Sequence, residues 1–145
     1  MKRQVLAFAV VVAAALSILT VAAVAAVAPG KYKGSLYQPN GGKIANAPAT
    51  VSVAGTKVTI TAPRLPMNCQ AADGTYTMPE APTKYEFKGT IKGNNVNGTY
   101  TSPLGGTGEY FVAKGRFNPA TKSFAGTISF MGRCRGTATV RAKKA

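Results

Sequence analysis

After residue 30, apolar and polar side chains alternate along most of the chain. Because successive side chains of a β-strand point to opposite faces, this alternation predicts strands with one buried and one exposed face. The pattern is clearest in two similar stretches, residues 88–102 and 114–130, which both begin with Lys-Gly and contain a Gly-Asn or Asn-Pro turn sequence. We expect each stretch to form one antiparallel β-hairpin.

Glycines recur on the predicted inner face of these strands. Gly89, for example, shares a face with Phe87 and Ile91. The other glycines predicted at inner positions are Gly98, Gly115, Gly126 and Gly136. A glycine weakens a strand, and it is typical of the sharp bends by which small barrels turn their corners. The pattern therefore favours a closed antiparallel barrel over a flat sandwich.

Further strands are predicted at residues 31–36, 50–53, 57–62 and 134–143. With the two hairpins they give an all-β fold, a single antiparallel β-barrel or closed β-sandwich of about 8 strands in one domain, residues 30–145. Residues 37–48 and 63–83 are rich in Pro, Gly and Asn and are predicted loops, with a short edge strand at 75–78.

The first 26 residues have the features of an export signal. Lys2 and Arg3 precede an apolar run, Val5–Ala28, which is followed by Pro-Gly. This predicts a hydrophobic signal helix cleaved after Ala25 or Ala26, and therefore a secreted, extracellular or cell-envelope protein. An uncleaved N-terminal anchor is the alternative, because the run is long enough to span a bilayer.

The chain contains two cysteines, Cys69 and Cys134. An exported protein meets oxidising conditions, so one disulfide between them is expected. Two separate buried thiols are the alternative.

The charge balance is strongly basic, with 18 Lys and Arg against 4 Asp and Glu and a net charge of +14. Without Lys2 and Arg3 the net charge falls by two, to +12. Such a field favours anionic partners, including phosphate-bearing polymers, acidic polysaccharide and anionic lipid. A charge that serves only solubility or surface retention remains an equal alternative.

The candidate binding residues are the outward cations of the predicted hairpins and the last strand. They are Lys88, Lys114, Arg116, Arg133, Arg135 and Arg141. If these strands pair as hairpins, the charges form one patch that could bind an anionic polymer or membrane surface. Nucleic acid is a weaker candidate, because single-stranded nucleic acid needs aromatic faces beside the cations and few rings are predicted to be exposed.

Several of these features resemble a group of small secreted actinobacterial-type proteins. The shared features are the opening Gly30–Gly34 (GKYKG), one mid-chain cysteine after the third strand, Gly-rich hairpins and the closing Cys134–Ala142 (CRGTATVRA). The resemblance implies an extracellular β-barrel or β-sandwich in which Cys69 and Cys134 are paired.

The sequence offers little for catalysis. It contains no His, which excludes imidazole-based triads and histidine metal sites, and its four acids are dispersed along the chain. We therefore expect no enzyme, cofactor or metal. The two functional hypotheses are a non-enzymatic domain that binds an anionic surface polymer or lipid, and a small-molecule carrier with an apolar cavity inside the barrel.

Overall fold

The computed structural model describes residues 26–66, 68–70, 73–77, 85–100, 110–132 and 134–145. The secondary structure of these residues consists entirely of β-strands and turns. The strands are β1 (Gly30–Tyr37), β2 (Lys43–Ala54), β3 (Lys57–Ala62), β4 (Asn68–Gln70), β5 (Tyr76–Thr77), β6 (Tyr85–Lys92), β7 (Asn95–Tyr100), β8 (Tyr110–Asn118), β9 (Ser123–Met131) and β10 (Cys134–Lys144). The predicted signal helix lies in residues 1–26, of which 1–25 are outside the described residues.

Eight of these strands close into an antiparallel barrel. Their order around the barrel is β1-β2-β3-β6-β7-β8-β9-β10, and β10 returns to pair with β1. At this seam Gly34 lies opposite Ala142 and Leu36 lies opposite Val140. The prediction of an all-β, closed antiparallel barrel of about 8 strands is therefore confirmed. Closure also removes the exposed sheet edges at which strands of other chains could pair.

Inner-face glycines lie where the sheet bends most tightly. A Cβ on Gly34 would overlap the carbonyl oxygen of Arg141 across the seam, with the Ala142 Cα only 2.6 Å away. A Cβ on Gly89 would likewise overlap the Asn97 carbonyl oxygen. These positions allow two backbones to approach more closely than any side chain permits, as barrel corners require.

The interior of the barrel is filled by the inward side chains of all eight strands. The largest fully buried ones include Tyr32, Phe87, Phe117, Phe124, Leu36, Ile60 and Ile128. Two groups of rings are in contact, one around Phe117 and one around Tyr100. Burying each large apolar side chain contributes about 1.5–3 kcal/mol, so this core is the main stabilising term of the fold.

Strand β2 begins earlier than predicted. The structure continues it back to Lys43 through Pro48, a stretch predicted as loop. Pairing with β3 starts only at Thr50, so this extension has β1 as its neighbour, with a register irregularity near Ser35. A proline is tolerated there because an edge or bulge position does not need its missing N–H.

Two very short strands lie between β3 and β6. Strand β4, which was not predicted, pairs with the start of β10, and β5 lies within the predicted edge strand and pairs with β4. This register places Cys69 directly opposite Cys134, and the two are disulfide-bonded across 65 residues of sequence. Closing a loop of that length contributes about 4 kcal/mol by restricting the unfolded chain. The predicted disulfide is confirmed.

The two ends of the barrel are different. At the turn end, the hairpins turn through Gly55-Thr56, Gly93-Asn94 and residues 119–122. Gly55 and Gly93 both have φ of 60°, which fits the first central position of a type II′ hairpin turn. The other end carries the disulfide and the β1–β2 loop, and we call it the disulfide end.

Candidate functional site: a basic outer face

The register of the sheet gathers cations on the outer surface of four consecutive strands, β8, β9, β10 and β1. Arg116 of β8 and Arg141 of β10 both lie opposite Ala125 of β9, one from each side. Two strand spacings separate their Cα atoms, about 10 Å. Lys114 lies two residues from Arg116 on the same exposed face of β8.

The seam between β10 and β1 adds two more charges to this surface. Lys143 and Lys33 lie directly opposite each other, and both are exposed. Like charges in a cross-strand pair destabilise a sheet, so these two lysines do not stabilise the pairing of β10 with β1. We call Lys33, Lys114, Arg116, Arg141 and Lys143 the basic face.

An aromatic ring positions one of these cations. The Arg141 guanidinium carbon lies 4.8 Å from the centroid of the Tyr37 ring, on the neighbouring strand β1. This cation–π contact holds the guanidinium plane against the barrel surface. Its N–H groups lie at the edge of that plane, where they can donate in pairs to a carboxylate or phosphate.

Strand β9 forms the floor between the cations of β8 and β10. Its outward residues there are small and uncharged, Ser123, Ala125 and Thr127. At the turn end this floor opens into a groove of about 610 Å³, which Asn94 and Arg116 also line. The Asn94 Oδ1 is buried and has no hydrogen-bond partner in the described part of the chain. The groove can therefore receive a group that presents an anionic oxygen to Arg116 and a hydroxyl that donates to the Asn94 Oδ1.

The surroundings of the basic face contain little opposing charge. None of the four strands contains Asp or Glu. Of the two acids that the structure describes, Glu86 lies on β6 opposite Thr61 of β3, away from these strands. The other, Asp73, accepts hydrogen bonds from the Thr75 hydroxyl and amide, which lower the pKa of its carboxyl.

Three of the six predicted binding residues are thus brought together: Lys114, Arg116 and Arg141. Lys88 is outward as predicted, but it lies on β6, two strands from Lys114 across β7 and three strands from Lys33 by the shorter way around the barrel. It therefore faces away from the seam.

Arg135 is also separate from the basic face. It lies six residues from Arg141 along β10, about 20 Å in an extended strand, and is paired with Asn68 beside the disulfide. There it lines a different groove, of about 380 Å³, next to the exposed Met131. Arg133 lies outside the described residues.

Lys33, Lys143 and Tyr37 belong to the site and were not among the predicted binding residues. The alternation places both lysines on outer faces, but only the pairing of the first strand with the last brings them together. A closed barrel requires its first and last strands to pair, so the predicted topology already contained the information needed to place these two lysines side by side.

No protein-family model matches the chain, and no curated protein matches it at a significant level. Within the described ranges there is no helix with the length and hydrophobicity needed to cross a bilayer. The same residues include no group of three His, Cys, Asp or Glu that could hold a metal ion. Fold and surface together define a small, disulfide-bonded β-barrel with a basic outer face.

Proposed function

We propose that this protein is an exported, non-enzymatic β-barrel domain that binds an anionic cell-surface polymer through the basic face. The observation that carries this proposal is the concentration of five cations on β8, β10 and β1, strands that contain no acidic residue. A cationic surface of this kind raises the local concentration of anionic partners and speeds their association.

The extent of the basic face favours a polymer over a single small anion. From β8 to β1 it spans three strand spacings, about 14 Å around the barrel. One phosphate or carboxylate contacts only one or two of these cations, whereas successive anionic units of a polymer contact several. The two arginines are suited to direct contacts, because a guanidinium donates two parallel hydrogen bonds to one anionic group.

Two features support the proposed location outside the cell. The sequence contains the apolar run with a charged start that is typical of export signals. The Cys69–Cys134 disulfide is a bond that persists in oxidising compartments. The proposal that the domain is not an enzyme is supported by the lack of His in the sequence and by the dispersal of its four acids.

The small-molecule carrier is the alternative function. It requires an interior cavity of about 300 Å³ or more. The described interior instead contains rings in mutual contact, with the Phe117 and Phe124 centroids 4.9 Å apart and those of Phe111 and Phe130 5.4 Å apart. We therefore place binding on the outer surface. Nucleic acid is disfavoured because Tyr37 is the ring in contact with the basic face, and one ring makes a poor stacking platform.

The test is retention on a polyanion column along a salt gradient. One variant replaces Arg116, Arg141 and Lys143 by Gln, and a matched variant replaces Lys57, Lys88 and Lys92, exposed lysines of β3 and β6 on the other side of the barrel. Both variants lose the same net charge. We expect the first to elute at clearly lower salt, with the slope of log affinity against log salt reduced by about three, one for each lost contact.

A thermal melt is the folding control, and both variants are expected to remain folded because all six side chains are exposed. Equal shifts for the two variants would mean that retention follows net charge alone, and the basic face would then have no particular role.

A further inference from the structure

The turn end of the barrel carries one exposed lysine at each of its three described hairpin turns. Lys57 follows the β2–β3 turn, Lys92 precedes the β6–β7 turn, and Lys122 ends the β8–β9 turn. Lys31, at the start of β1, is exposed at the same end. These four residues form what we call the lysine rim, and none of them belongs to the basic face.

Backbone hydrogen bonds make this end rigid. Each turn, and the start of β1, accepts a hydrogen bond from the next strand around the barrel. The donors and acceptors are Ile91 N to Thr56 O (2.8 Å), Phe117 N to Asn94 O (2.8 Å), Lys144 N to Lys122 O (2.9 Å) and Ala145 N to Lys31 O (2.9 Å). The backbone of the rim is therefore held by these bonds, which fix the relative positions of the four lysine Cα atoms.

The two described acids lie away from this end. Glu86 precedes Lys92 by six residues on β6, about 20 Å along an extended strand. Asp73 lies between β4 and β5, which are attached to the start of β10 at the disulfide end. The barrel is thus electrically polar along its axis, with the rim at its cationic end.

The N-terminal segment joins the barrel at the same end. Val27 packs partly buried against the core, the Tyr32 hydroxyl donates to the Ala28 carbonyl oxygen (2.8 Å), and the Lys144 ammonium donates to the Pro29 carbonyl oxygen. The residues immediately before this segment, 5–25, are the apolar run. The apolar run therefore continues from the rim and not from the disulfide end.

We propose that, in the chain that keeps its apolar run uncleaved, the turn end rests on the surface of an anionic phospholipid bilayer, with the lysine rim against the headgroup phosphates and the apolar run extending towards the hydrocarbon. Both the charge and the apolar sequence are then on the side that faces the membrane. The rim borders the basic face at Lys31 and Lys122 but shares no residue with it, so the contact goes beyond the proposed function. Each lysine near an anionic bilayer strengthens binding about fivefold.

The first experiment uses the full chain reconstituted into vesicles of phosphatidylcholine, with or without phosphatidylglycerol. An amine-reactive reagent is added outside, and mass spectrometry measures the labelling of each lysine in the externally facing protein. We expect phosphatidylglycerol to protect Lys57, Lys92 and Lys122 but not Lys43, an exposed lysine at the disulfide end. Equal labelling of rim lysines and Lys43 in both vesicles would overturn the proposal.

The second experiment measures the contribution of the rim without the apolar run. The core begins at Val27, so a chain that starts at Ala26 retains every described core side chain, and a thermal melt checks its fold. The rim variant replaces Lys57, Lys92 and Lys122 by Gln. The control replaces Lys43, Arg64 and Arg135, three exposed cations at the disulfide end, in the same way.

Cosedimentation with phosphatidylglycerol-containing vesicles then compares the two. The rim variant is expected to bind on the order of 100-fold more weakly than the parent chain, and the control to bind within a few fold of it. Equal losses would overturn the end-on orientation. The rim variant keeps all five residues of the basic face, so it is still expected to bind the polyanion column. Loss of vesicle binding with column binding retained would therefore distinguish the membrane contact from the polymer site.

Discussion

Two glycines that face each other across β6 and β7 provide a sharp test of how the barrel closes. Gly89 and Gly98 are cross-strand partners at inner positions. A Cβ on Gly89 would overlap the Asn97 carbonyl oxygen and lie 2.6 Å from the Gly98 Cα, whereas the nearest atom to a Cβ on Gly98 is 3.5 Å away, an ordinary contact. The same substitution, Gly to Ala, is therefore expected to be strongly destabilising at Gly89 and nearly neutral at Gly98.

For Gly89→Ala the obstructing atoms are backbone, so β6 and β7 must separate and lose part of their ladder. We expect a loss of about 3 kcal/mol in the free energy of unfolding, the upper end of the overpacking range, and a fall in Tm of about 10 °C. Gly98→Ala is expected to change stability by less than about 0.5 kcal/mol, with reduced freedom of the unfolded chain acting in its favour.

Both variants are compared by thermal and urea unfolding, with the disulfide intact. Equal destabilisation, or a larger effect at Gly98, would refute the argument that β6 and β7 approach most closely at Gly89 and need a glycine there but not at Gly98.

Other predictions concern the disulfide and two titrating groups. Replacing Cys69 and Cys134 by Ser, or reducing the bond, should lower the free energy of unfolding by about 4 kcal/mol in urea titrations, and an unchanged midpoint would contradict this. Burial raises the pKa of the Tyr32 hydroxyl, so its contribution to stability is present below the ordinary tyrosine pKa and is lost as the pH rises through the folded pKa. Tyr32→Phe should remove one step that lies above the ordinary tyrosine pKa from an ultraviolet titration. Thr75→Ala removes the hydroxyl donor and keeps the amide donor, so it should raise the pKa of Asp73 part of the way towards its ordinary value in an NMR titration; an unchanged pKa would show that the Thr75 hydroxyl does not hold it down.

Much of the fold follows from the alternation of side chains alone. The faces of β6 to β10 were predictable because the period of two is unbroken there, and Phe87, Ile91 and Ile128 are buried as that period requires. The beginning of β2 was not predictable in this way. Pro48 and the preceding Asn and Gly residues indicate a loop locally, and only the neighbouring strand β1 overrides them.

The candidate site was less predictable because it depends on register. The sequence shows which cations point outward, but the distance from Arg141 to Arg116 or Arg135 depends on which residues lie opposite each other. The register places Arg116 and Arg141 opposite the same residue of β9, Ala125, so the two arginines are two strands apart at the same height of the barrel. Arg135 lies at the other end of β10. A pair such as Lys33 and Lys143 depends on closure between the first and last barrel strands, which no local pattern contains.

The central claim is that an anionic polymer binds at the basic face, and NMR mapping tests it most directly. A soluble acidic oligosaccharide is titrated into labelled protein, and the shifts of the backbone amides and arginine side chains are followed. The account predicts that the largest changes fall at Lys33, Arg116, Arg141 and Lys143, on the outer surface from β8 to β1, and that salt reverses them. Changes centred on Lys57 and Lys88, or on inward residues of the barrel, would contradict it.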